Sequence, residues 1–107
     1  MDHAAALHQP ERDEIELPDV LHALSDPHRL DIVRRLSEES EPCACGDLRS
    51  DLAKSTMTHH FRTLREAGVI EQRREGTSKL TSLRREDLDA RFPGLVDAVL
   101  GSKPVAA

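Results

Sequence analysis

The chain has 107 residues, 37% of them hydrophobic and only 2% aromatic, with a formal charge of −5. That length supports one domain with a modest aliphatic core, no apolar run approaches the ~20 residues that cross a bilayer, and two cysteines cannot frame a small disulfide-built fold. Residues 1–10 lack the basic start and apolar middle of a secretory leader, so a cytoplasmic protein is expected, and a secreted mini-protein, a membrane protein and a multidomain enzyme are set aside.

The elements follow in chain order. Residues 1–14 are polar, contain Pro10 and read as a flexible arm; residues 15–101 form the expected domain and 102–107 a tail. Leu17, Val20, Leu21 and Leu24 follow helical spacing. Asp26 is a good N-cap and Pro27 suits the first helical position. A second helix therefore runs to about Glu39, burying Leu30, Val33 and Leu36 with Ile32 at the edge, and Ser40-Glu41-Pro42 ends it. Leu48 and Leu52, four apart, suit a brief helix over 46–52. Ser55 reads as the N-cap of a longer helix that ends at Gly68, a residue fitted to the left-handed stop position. Residues 69–74 and 78–83 read as strands around Glu75-Gly76-Thr77, a hairpin with Gly at its tip. A last helix over 86–100 would bury Leu88, Phe92, Leu95, Val96 and Val99, with Pro93 bending or dividing it.

The acidic average hides a division along the chain. Residues 1–48 carry a net −8, residues 49–85 a net +5 and residues 86–107 a net −2. Segregated charge of this kind marks an electrostatic footprint, and the basic third coincides with the longer helix and the hairpin. Short helix, tight turn, second helix and basic hairpin is the order of a winged helix-turn-helix. The expected fold is therefore mainly α, about five helices with a two-stranded β-hairpin wing.

At about 100° per residue, Met57, Phe61, Leu64 and Gly68 share one face of the longer helix. The opposite face carries Ser55, Thr58, His59, Arg62 and Glu66, with Thr56 and Thr63 on its flank. Short hydroxyls followed by longer donors are what base edges and phosphates require. Arg73, Arg74, Thr77 and Lys79 surround the hairpin tip, where they would meet a phosphate backbone. Ser55, Thr56, Thr58, His59, Arg62, Thr63 and those four hairpin residues form the candidate DNA-binding set.

Three stretches in this order, Leu24-Ser25-Asp26-Pro27-His28-Arg29-Leu30, Ser55-Thr56-Met57-Thr58-His59-His60-Phe61 and Leu64-Arg65-Glu66-Ala67-Gly68-Val69-Ile70, resemble the ArsR/SmtB family of bacterial transcriptional repressors over roughly residues 16–100. The resemblance implies a homodimer held by the first and last helices, with Leu17, Val20, Leu21, Leu95, Val96 and Val99 at the expected interface. It further implies one recognition helix per major groove, a double-stranded operator in the form of an imperfect palindrome, and release from DNA when an effector binds.

Two metal sites come into question, although no cofactor is required. Cys43-Ala44-Cys45 lies near where arsenic- and cadmium-sensing relatives hold thiolates, but Gly46 interrupts the relatives' pattern and their third cysteine is absent. The competing reading is two small residues at a helix start. Met1-Asp2-His3 offers the terminal amine, two amides and the His3 imidazole as a square-planar nitrogen set for Cu(II) or Ni(II); a chance placement of His3 is the alternative. A divalent effector (Ni, Cu or Zn) is thus an open expectation. The last helix has Glu86, Asp87, Asp89 and Asp97 but no histidine, which reads as a solvated face. No catalytic signature is present. The competing class is a cytosolic metal- or thiol-responsive interaction or buffering protein with no operator.

Overall fold

The computed structural model describes residues 7–44 and 53–101; the helix expected over 46–52, His3, Cys45 and the tail lie outside that range. A 3₁₀ turn at Arg12–Glu14 leads into α1 (Leu17–Ala23), α2 (Pro27–Ser37) and a two-residue strand, β1 (Cys43–Ala44). From residue 53 onward come α3 (Lys54–Ala67), β2 (Ile70–Glu75), β3 (Ser78–Leu83), α4 (Arg85–Arg91) and α5 (Leu95–Gly101). Among the described residues five helices accompany the expected antiparallel hairpin, two of them occupying the span expected for one last helix.

Local chemistry sets most of the boundaries. Asp26 Oδ1 accepts from the amides of His28 (2.7 Å) and Arg29 (3.2 Å), and Pro27 opens α2 without an amide donor to satisfy. Gly68, at φ +89°, ends α3. Pro93 and Gly94 (φ +86°) divide the expected last helix into α4 and α5. In the hairpin Glu75 faces Ser78, leaving Gly76-Thr77 as a two-residue loop in which Gly76 alone takes a positive φ.

Three expectations change. The longer helix starts at Lys54 with Ala53 at its N-cap and no side-chain cap, so Ser55 lies in the first turn with its hydroxyl exposed. Cys43 and Ala44 form a strand opposite Thr81 and Leu80, making the sheet three-stranded in the order β1-β3-β2. Two residues are too few to show a period in sequence, where they read as half of a thiolate pair or as small residues before a helix. The arm is not loose over residues 9–14: Gln9 bonds to the backbone of Gln72, Arg84 donates to Pro10 O at 2.7 Å, and Arg12 pairs with Asp87 at 2.7 Å.

The aliphatic core lies where α1, α2 and α3 meet the base of the hairpin. Val20 and Ala23 of α1, Ile32, Val33 and Leu36 of α2, Phe61 and Leu64 of α3, and Val69 and Ile70 beyond it are buried together, and Leu88 and Val96 close the far side. On α2 the buried face is turned from the expected one, because Arg29 lies inside while Leu30 is only half-buried. Val20 and Val96 are packed within the protomer, so neither offers the surface to a partner that the sequence reading gave it.

Gly68 is also where the arm presses on α3. A Cβ there would stand 2.7 Å from Ile15 Cγ1 and 3.2 Å from Pro10 Cγ, whereas a Cβ at Gly76 would meet nothing within 4 Å. Gly68→Ala should therefore cost about 2–4 kcal/mol, combining a disfavoured φ with overpacking, and Gly76→Ala about 1 kcal/mol. Urea unfolding of both variants checks this; equal losses would show that the packing of the arm on Gly68 contributes nothing.

Candidate nucleic-acid interface

Burial divides α3 into two faces. Phe61, Leu64 and Ala67 face the core, Met57 is half-buried, and His60 and Arg65 are buried polar residues on its flanks. Lys54, Ser55, Thr56, Thr58, His59 and Arg62 are exposed, and Thr63 is half-buried. The sequence-predicted reading face is thus brought together on one side of one helix. Arg62 Nε pairs with Glu66 Oε2 at 3.0 Å. An exposed pair one helical turn apart is worth only a few tenths of a kcal/mol, so Arg62 can exchange it for a base edge or phosphate at little cost.

The hairpin presents the second group. Arg73, Arg74 and Thr77 are exposed and Lys79 is half-buried. The register sets Arg74 directly opposite Lys79, and alternation puts both on the face that carries buried Gln72 and Thr81 nearer the base. Like charges directly opposed across strands repel. Neither has an ion-pair partner among the described residues, so an anion lying between them would relieve the repulsion. Arg73, on the other face, sits 3.7 Å from Glu75.

A buried guanidinium connects α3 to the rest of the protein. Arg29 of α2 is 7% exposed. Its Nε donates to Ala23 O at 2.7 Å and its Nη2 to His22 O at 3.3 Å, capping the C-terminal end of α1, where a cation is favoured. Its Nη1 lies 3.1 Å from His60 Nδ1 on α3. Since a guanidinium can only donate, Nδ1 accepts and the imidazole is neutral. His60 also stacks loosely with the rings of His28 and His59, at 5.8 and 5.9 Å between centroids. Its pKa is held below the ordinary value; burial is the main cause, Asp26 pulls it upward, and Arg29, His28 and His59 push it down.

Sequence reasoning passed over Arg29 and gave His60 no partner. One signal was available: Arg29 stands in the first turn of α2, where a cation opposes the helix dipole, so its charge has to be used elsewhere.

The remaining candidates do not converge on a site. Cys43 is half-buried in β1, with Sγ 3.8 Å from Glu41 O. The acidic residues of α4 and α5 are taken up by arginines: Asp87 by Arg12 and Arg84, Glu86 by Arg12, and Asp89 and Asp97 by Arg85. Among the described residues no three His, Cys, Asp or Glu side chains are gathered as a metal would need. Leu17 and Leu21 stand exposed on α1, at 39% and 50%, while Leu95 and Val99 are half-buried.

A helix-turn-helix domain model matches residues 24–73. The chain is 34% identical over 82 residues to YceK of Bacillus subtilis (strain 168), described as an uncharacterized HTH-type transcriptional regulator, covering 75% of this chain and 82% of that protein. It is 36% identical over 75 residues to the arsenical resistance operon repressor of Staphylococcus xylosus, covering 69% and 71% respectively. The fold is similar to the crystal structure of an ArsR family transcriptional regulator, with a TM-score of 0.65 at 24% identity over 82% of this chain and 92% of that one.

The buried imidazole makes stability depend on pH. The unfolded chain protonates this histidine near its ordinary value of about 6.5, while the folded chain resists protonation until lower pH. Stability is therefore full above about pH 7.5 and falls as the pH drops through 6.5. The urea midpoint should follow that course, and His60→Asn, whose side-chain oxygen replaces Nδ1 as acceptor, should flatten it. An unchanged slope in the variant would remove His60 as the cause.

Proposed function

The chain belongs to the ArsR/SmtB family of winged helix-turn-helix transcriptional regulators, a class of regulators and not of enzymes, and on that premise we propose that it is a repressor that reads its operator with α3 and grips the flanking backbone with the hairpin. The observation that carries the reading is the exposed face of α3. Ser55, Thr56, Thr58, His59 and Arg62 lie together on it, short hydroxyls at the start of the helix and longer donors behind. Thr63 borders this face; Arg73, Arg74, Thr77 and Lys79 supply the sequence-independent contacts.

We further propose a homodimer acting in the cytoplasm, with exposed Leu17 and Leu21 forming part of its interface. Its two-fold axis would set half-sites ~34–36 Å apart on an imperfect palindrome. No helix among the described residues is long and apolar enough to cross a membrane.

Two relatives are named for arsenical and cadmium resistance, and this raises the question of a metal effector. The donors here fit one poorly. The chain has two cysteines, and among the described residues no three His, Cys, Asp or Glu side chains are gathered for a metal.

Arg62→Ala or Thr58→Ala should cost about 1–3 kcal/mol on the operator and much less on random duplex, as loss of a base contact does. Arg74→Ala or Lys79→Ala should weaken both duplexes alike and flatten the salt dependence. Binding isotherms over a salt series check both, and equal losses on both duplexes from the α3 variants would remove the case for base reading. Replacing Cys43 and Cys45 together by Ser should leave operator affinity within about twofold, roughly 0.4 kcal/mol, with or without arsenite or Zn(II). Release of the wild type alone by one of these would show thiol sensing.

A further inference from the structure

The arm does more than cover the core. Gln9 Nε2 donates to Gln72 O at 2.8 Å, and Gln9 Oε1 accepts from Gln72 N at 2.8 Å. This is the reciprocal pair of bonds that a neighbouring antiparallel strand would make to β2. The side chain of Gln72 turns inward and is 1% exposed. There its Oε1 accepts from Arg65 Nη1 at 2.8 Å, and its Nε2 donates to Thr81 Oγ1 at 3.1 Å. Arg65, in the last turn of α3, also donates from Nε to His8 O at 3.1 Å.

These bonds close a ring that runs from arm to hairpin to recognition helix and back to the arm. It spans the joint at Gly68-Val69, where α3 gives way to β2. Gln72 stands two residues before Arg74 on the same face of the strand, so the ring fixes the part of the hairpin from which its cations project. Buried hydrogen bonds of this kind hold an angle, where aliphatic contacts alone allow sliding.

We propose that Gln9 is a positioning residue for DNA binding: through this ring it sets the angle between hairpin and α3, so that phosphate and base contacts engage one duplex together. The inference rests on the reading of α3 and the hairpin as the DNA interface.

The test is a double-mutant cycle on the full chain. It combines Gln9→Ala with Arg74→Ala/Lys79→Ala and measures affinity for a selected operator and for random duplex across a salt series. Gln9 is half-buried and its bonds are to an edge strand where water can replace them, so the fold should persist. Thermal unfolding verifies this, while exchange at the Gln72 amide, which loses its Gln9 acceptor, should speed up; Gln9→Met, which keeps length and apolar contact without the bonds, is the second variant. Gln9→Ala should weaken both duplexes about tenfold and flatten the salt slope, yet change affinity less than about twofold once the hairpin cations are gone. An equal loss in both backgrounds would mean general damage and overturn the proposal. So would no loss from either Gln9 variant while the hairpin variant is weakened, with the DNA reading left intact. Full affinity in the hairpin variant would overturn the hairpin's role as a DNA contact and the proposal with it.

Discussion

A single buried cation, Arg29, links α1, α2 and α3 across the aliphatic core that they share. Arg29 cannot lie in an aliphatic interior without hydrogen-bond acceptors, because an unpaired buried charge costs several kcal/mol. It finds them at the end of α1, in the carbonyls of His22 and Ala23, and on α3, in His60 Nδ1. One residue of α2 thereby caps the end of α1 and, with the packing of Phe61 and Leu64, fixes the rotation of α3. That rotation decides which side chains of α3 face outward. With Phe61 and Leu64 packed inside and His60 pinned on the flank, Thr58, His59 and Arg62 are turned outward and exposed.

A chain with no Trp, no Tyr and two Phe has few large rigid groups with which to fix orientation. Leu, Ile, Val and Ala provide burial but permit sliding, and buried polar contacts provide the angles. Two such sets divide the molecule. The Arg29–His60 contact orients the reading helix against α1 and α2, and the Arg65–Gln72–Gln9 ring orients the hairpin against the end of that helix. Gly68 lies between them, where its missing side chain admits Ile15 and Pro10. The arm is thus part of the DNA-binding half of the protein and not an appendage to it.

Most of the fold was legible because its signals are local. Asp26-Pro27, Gly68, Glu75-Gly76-Thr77 and Pro93 each act within a few residues, and the periodicity of α3 separated its two faces correctly. What was not legible depends on distant partners. A two-residue strand such as β1 exists only because β3 lies beside it. The order of the arm depends on Gln72 and Arg84, more than sixty residues away in sequence. Val20 and Val96 looked like surface for a partner because apolar spacing alone cannot tell a protomer's core from an interface. Gln72 was a missed clue: strand alternation turns it inward with Ile70, and a buried amide requires partners.

We propose that the outward face of α3 and the tip of the hairpin form one continuous DNA-binding surface whose geometry is set from within the protomer. The most direct test is a map of backbone amide shifts as the protein is titrated with a duplex enriched from a random library. Shifts should concentrate at Ser55, Thr56, Thr58, His59 and Arg62 and from Arg73 to Lys79, and leave α5 unchanged. Enrichment of no sequence, or shifts confined to α4 and α5, would contradict the account.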